Sequence, residues 1–92
     1  MSVVIVGGNE CMVRKYINIC NEYDCDAKVF CKMRGSIKKQ IGNPDLMIMF
    51  TNTLSHKLLK SATDEIKGSD TKIEWCHSSS ASALKNALVK YI

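Results

Sequence analysis

The chain has no apolar run long enough to cross a bilayer: the longest, around Val3–Val6 and Leu46–Phe50, fall far short of the roughly 20 residues a spanning helix needs. Its amino terminus has neither the basic flank nor the extended apolar stretch of a secretory signal, which predicts a cytoplasmic protein and no membrane partner. Charge of one sign is not concentrated either. Thirteen Lys and Arg against nine Asp and Glu leave +4, a mild preference for anionic ligands without the basic stripe of a nucleic-acid binder, so nucleic acid is not indicated. Five cysteines, an odd number, exclude a fully paired disulfide framework and predict reduced thiols. Neither G-x-G-x-x-G nor G-x-x-x-x-G-K-[ST] occurs, and no C-x-x-C does. Paired catalytic carboxylates and a nucleophile triad are equally absent from the pattern, so nothing here dictates an enzyme.

What is present is an ordinary globular composition. Hydrophobic residues at 46% and charged residues at 24% exclude collagen, coiled coil and disorder, and 92 residues predict one domain spanning 1–92. Val3-Val4-Ile5-Val6 reads as a buried strand ended by Gly7-Gly8. Val13, Tyr16, Ile17, Cys20 and Tyr23 share one helical face, with Asn9 as N-cap. Ala27–Lys32 reads as a second strand, whose Lys28 and Lys32 mark an edge. Ile37 and Ile41 predict a short helix stopped by Gly42-Asn43-Pro44. Leu46–Phe50 is apolar on both faces, as a central strand must be. A helix capped by Ser55 then runs through Leu58, Leu59, Ala62 and Ile66 to Gly68. Lys72–Cys76 alternates, predicting a second edge, and Ser78–Ser80 cap a last helix carrying Leu84, Ala87, Leu88 and Tyr91 inward.

Strands alternating with helices demand a parallel α/β sheet. With strands one and three wholly apolar and two and four charged, the order 2-1-3-4 follows, a Rossmann-like or flavodoxin-like three-layer sandwich. In such a sheet the connections diverge between strands one and three, and ligands bind beyond the carboxyl ends of the strands at that point.

The candidate ligand-binding residues are therefore Gly7, Gly8 and Asn9 in the first loop and Thr51, Asn52, Ser55 and His56 in the third, with Ser79 as a further hydroxyl donor. A glycine turn leading into a helix N-terminus suits an anion such as phosphate or carboxylate, with Lys32 and Arg34 adding charge from the side. The leading expectation is a small ligand-binding or sensing module for an anionic metabolite or cofactor. A second expectation uses Cys11, Cys31, Cys76, His56 and His77, which fall near the same sheet edge and are chemically capable of holding a transition metal or haem, or of thiol redox work with Cys11 as the reactive thiol. A third is a structural homodimer in which the fourth strand, with Trp75, pairs with another copy.

Several elements recur together: Gly7-Gly8 closing the first strand, Tyr16 in the first helix, Pro44-Asp45 before the apolar third strand, Ser55-His56 opening its helix, and Ser78-Ser79 before the last. In this combination the chain resembles the bacterial domain-of-unknown-function 2325 family over nearly its whole length. The resemblance implies a small Rossmann-like domain and points to Gly7, Gly8, Ser55, His56 and Ser79; it implies no activity.

Overall fold

A computed structural model describes residues 1–31 and 41–91. Four strands, β1 (Ser2–Gly7), β2 (Asp26–Phe30), β3 (Leu46–Phe50) and β4 (Lys72–Cys76), form one sheet in the order β2-β1-β3-β4, with every ladder parallel. Among the described residues three α-helices accompany it: α1 (Val13–Glu22), α2 (His56–Glu65) and α3 (Ala81–Val89). Burial explains the order. All five β3 side chains and Val3–Val6 of β1 are buried, whereas β2 and β4 are partly exposed along their length. Only the two wholly apolar strands are suited to being sandwiched on both faces.

The alternation of side chains divides the core into two. Val3 and Ile5 of β1 with Leu46, Ile48 and Phe50 of β3 pack against Tyr16, Ile19 and Cys20 of α1 and Leu84, Ala87 and Leu88 of α3. Val4, Val6, Met47 and Met49 face the other way, onto Leu58 and Ala62 of α2, Ile66 and Ile41. Helices thus cover both faces of the sheet, as right-handed crossovers require. Ile19 lies deep in this core although the five positions read as the helix face omit it, and Val13 and Ile17 are only half-buried.

Several boundaries differ from the expected ones, the last helix for instance stopping at Val89, before Tyr91. The first helix does not begin directly after Asn9: the Asn9 carbonyl accepts from Met12 N–H, and its Oδ1 from Cys11 N–H, winding Glu10–Met12 into a tight 3-10 turn before α1 starts at Val13. Strand β2 begins at Asp26, whose N–H donates to the Met1 carbonyl, and ends at Phe30, opposite Val6. Helix α2 ends at Glu65, with turns from Ile66 onward replacing a helix to Gly68. The expected helix through Ile37 lies outside the described residues apart from the buried Ile41, as do Lys32 and Arg34.

Helix α1 closes with a Schellman turn. Cys25 N–H donates to the Cys20 carbonyl at 2.9 Å and Asp24 N–H to the Asn21 carbonyl at 3.0 Å, while Asp24 takes the left-handed conformation at φ 57°. The apolar contact that accompanies such a turn falls here to Cys20 and Cys25, both buried.

Candidate functional site at the carboxyl edge of the sheet

Because β1 and β3 are hydrogen-bonded neighbours in register from Val3–Leu46 to Gly7–Phe50, the loops that follow them emerge side by side. One strong bond joins them: Gly8 N–H donates to Thr53 Oγ1 at 2.7 Å, and Thr53 Oγ1 also lies 3.3 Å from the Phe50 carbonyl, to which it donates. Thr53 belongs to a 3-10 turn over Thr51–Thr53, which brings Thr51 and Asn52 to the same edge.

The glycines are explained by close approach. At Gly7 (φ 89°) an added Cβ would stand 3.0 Å from the Phe50 carbonyl oxygen. At Gly8 (φ 90°) it would stand 2.9 Å from Tyr16 Cε2 and 3.1 Å from a Phe50 ring carbon. Both φ values lie where only glycine is unstrained. The rings of Tyr16 and Phe50, with centroids 5.3 Å apart, form the floor under the turn.

Tyr16 is the residue that sequence reasoning placed but did not assign. Its buried hydroxyl donates to the Ser79 carbonyl at 2.6 Å and accepts from Asn9 N–H at 3.3 Å, so one phenol ties the first loop to the last. The available signal was its position on the inner face of the first helix, two turns from the glycines; the bonds themselves depend on where the fourth loop returns. On the other side, Thr51 Oγ1 donates to the Cys76 carbonyl at 3.3 Å and lies 3.3 Å from His77 Nδ1. The carboxyl edge is therefore a laced platform: loop one to loop three through Thr53, loop one to loop four through Tyr16, loop three to loop four through Thr51.

This lacing changes how the edge presents itself to a ligand. The backbone N–H groups of Gly8, Asn9, Cys11 and Met12 are all spent inside the protein. The glycine turn sets shape, and side chains offer the polar contacts. Ser55 caps α2 through its Oγ, which accepts from Leu58 N–H at 3.2 Å, and His56 starts that helix, as expected. Asn52, His56 and Lys57 are exposed, and among the described residues their side chains make no hydrogen bond. The last helix repeats the device: Ser80 Oγ accepts from Ala83 N–H at 3.2 Å, and Ser78 Oγ from Ser80 N–H at 3.3 Å. Ser79 contributes its carbonyl to Tyr16 and leaves its hydroxyl uncommitted among the described residues.

The sulfur and imidazole groups share the edge without converging. Among the described residues no three His, Cys, Asp or Glu side chains gather closely enough to hold a metal ion, so Cys11, Cys31, Cys76, His56 and His77 do not form a three-ligand metal set. Cys11 is exposed and sits in the 3-10 turn, outside the first turn of α1 where a helix dipole would act on it. Burial, reinforced by the Glu10 carboxylate, raises the Cys31 pKa; burial and then Glu74 raise that of Cys76. Cys20, buried beside Cys25, is pushed up to about 11. At these three positions burial disfavours the thiolate that a redox nucleophile needs.

A cavity of about 760 Å³ opens at the opposite edge, lined among others by Met1, Pro44, Asp45, Thr71, Lys72 and Tyr91. Its polar atoms close the sheet's amino end: Ser2 N–H donates to Asp45 Oδ2 at 2.8 Å, Thr71 Oγ1 to the Pro44 carbonyl at 2.7 Å, and Ser69 Oγ to Thr71 Oγ1 at 3.0 Å. Asn43 and Asp70 also line it, and their side chains and that of Lys72 make no hydrogen bond among the described residues, but the strand polarity of an open α/β sheet favours the carboxyl edge.

No helix among the described residues is long and apolar enough to cross a membrane. No curated protein and no solved structure matches the chain. A family model does, over residues 2–91, and with strand order, glycine turn and Ser55-His56 helix start all in place the chain belongs to the family described as "Uncharacterized protein conserved in bacteria (DUF2325)".

Proposed function

We propose that the protein is a small cytoplasmic ligand-binding or sensing module that holds an anionic metabolite between the loops after β1 and β3. The observation that carries this reading is the 2.7 Å bond from Gly8 N–H to Thr53 Oγ1, which fixes those two loops against each other. Beside it Asn52, His56 and Lys57 stand as exposed polar side chains that make no hydrogen bond among the described residues. A pre-ordered platform bearing a few exposed polar groups spends little entropy on binding. The Lys57 ammonium supplies charge, and Asn52 and the Ser79 hydroxyl supply orientation. His56, in the first turn of α2, adds a ring nitrogen.

Calorimetry against a panel of phosphorylated and carboxylated metabolites tests this. A binder is expected whose affinity falls at least about tenfold in His56→Ala and in Asn52→Ala, in keeping with the loss of one charged or polar contact each. Affinity unchanged in both variants would remove the site.

A further inference from the structure

The outer edge of β4 has a backbone pattern that selects its own partner. Among the described residues β4 pairs with β3 alone, and Lys72 N–H donates to the Asp45 carbonyl across that ladder at 3.1 Å. In a parallel ladder alternate residues turn both backbone groups to the same neighbour. Lys72, Glu74 and Cys76 therefore bond to β3, and the N–H and C=O groups of Ile73 and Trp75 face outward. Trp75 is 51% exposed. The other edge, β2, carries no large exposed hydrophobic side chain.

We propose that β4 pairs antiparallel with β4 of a second copy, about a two-fold axis at Ile73, to make a continuous eight-stranded sheet. Charge selects this register. With Ile73 on the axis, the two Ile73 residues exchange both backbone bonds, and Lys72 stands directly opposite the partner's Glu74, twice. These flanking positions are the non-hydrogen-bonded kind, where side chains approach most closely. Moving the axis by one residue sets Glu74 against Glu74 or Lys72 against Lys72, which like-charge repulsion disfavours. On the opposite face, the same register lays Trp75 opposite the partner's Thr71 and diagonally across its Ile73, covering the exposed indole. Glu74 is already bonded within its own chain, by Lys90 Nζ to its Oε2 at 2.7 Å and by Tyr91 OH to its Oε1 at 3.0 Å, so the partner's Lys72 adds a second cation to an existing pair. The pairing is independent of what the carboxyl edge binds.

Sedimentation of the full chain from micromolar to millimolar concentration should show a monomer–dimer equilibrium, with the emission of the lone tryptophan shifting to the blue as dimer forms. Lys72→Glu and Glu74→Lys, each folded by circular dichroism, should each be monomeric, because each sets like charges opposite one another. An equimolar mixture of the two should dimerise again, since every opposed pair is then of unlike charge. An Ile73→Cys protein should cross-link to twice its mass under mild oxidation far faster than the wild type, whose own cysteines are the control. A wild type monomeric throughout, a Lys72→Glu protein still dimeric, a mixture that stays monomeric, or cross-linking no faster at position 73 than in wild type would each overturn the proposal.

Discussion

At the scale of the residue, Tyr16 shows how one side chain sets a site it does not itself expose. Its ring blocks any side chain at position 8, and its hydroxyl satisfies the Asn9 amide and the Ser79 carbonyl together. Tyr16→Phe keeps the packing but strands two backbone groups, so a loss of about 1–3 kcal/mol is expected in denaturant unfolding, with little change in the dependence on denaturant concentration. Faster amide exchange at Asn9 in the variant is the local signature. Glycine at positions 7 and 8 is thus a packing requirement as much as a conformational one. The identities of these residues stood in the sequence; their pairing did not, because Thr53 and Ser79 reach the first loop only after the whole sheet has assembled.

At the scale of the element, the ends are more telling than the middles. Helix α1 terminates on Asp24 in the left-handed region, a conformation that disfavours any residue with a Cβ and that glycine adopts freely. Asp24→Gly is expected to raise stability by up to about 1 kcal/mol, read from the thermal or denaturant midpoint, with the Schellman bonds from Cys25 and Asp24 retained. The strands themselves were legible, because a run such as Leu46–Phe50 with no polar residue has only one place in a parallel sheet, and Lys72 and Glu74 can be tolerated only at a rim. Less legible were the 3-10 turns at Glu10–Met12 and Thr51–Thr53, since an Asn followed by an apolar periodicity reads as a cap whether the first turn is tight or regular. Ile19 escaped for a related reason. With α3 lying against α1, the buried stripe of α1 is wider than the five positions chosen for it.

At the scale of the whole molecule, the last helix is tied to the sheet rim by one carboxylate. The hydrogen bond from Lys90, aided by that from Tyr91, holds the Glu74 pKa below the ordinary glutamate value. A depressed carboxylate pKa contributes stability that is fully present above the unfolded value and is lost as pH falls through the folded one. The unfolding midpoint should therefore drop as pH falls below the ordinary glutamate value, and part of that drop should vanish in Glu74→Gln, which has no charge to lose. Equal acid sensitivity in the two proteins would show that the tie contributes nothing. Elsewhere the balance is mild: no buried polar or charged residue interrupts either half of the core among the described residues, which leaves the two hydrophobic clusters to carry the fold.

The arrangement of the ladders also governs how such a chain reaches its native state. Each one joins segments that a crossover separates, and the central β1–β3 ladder skips β2 altogether. Among the described residues no tight reversal zips two neighbouring strands, so assembly waits for distant stretches to meet, and the entropic toll of those encounters falls before any interstrand bonding compensates it. A nascent β1–α1–β2 unit, whose parts are the nearest in the chain, is the natural seed onto which β3 and finally β4 condense.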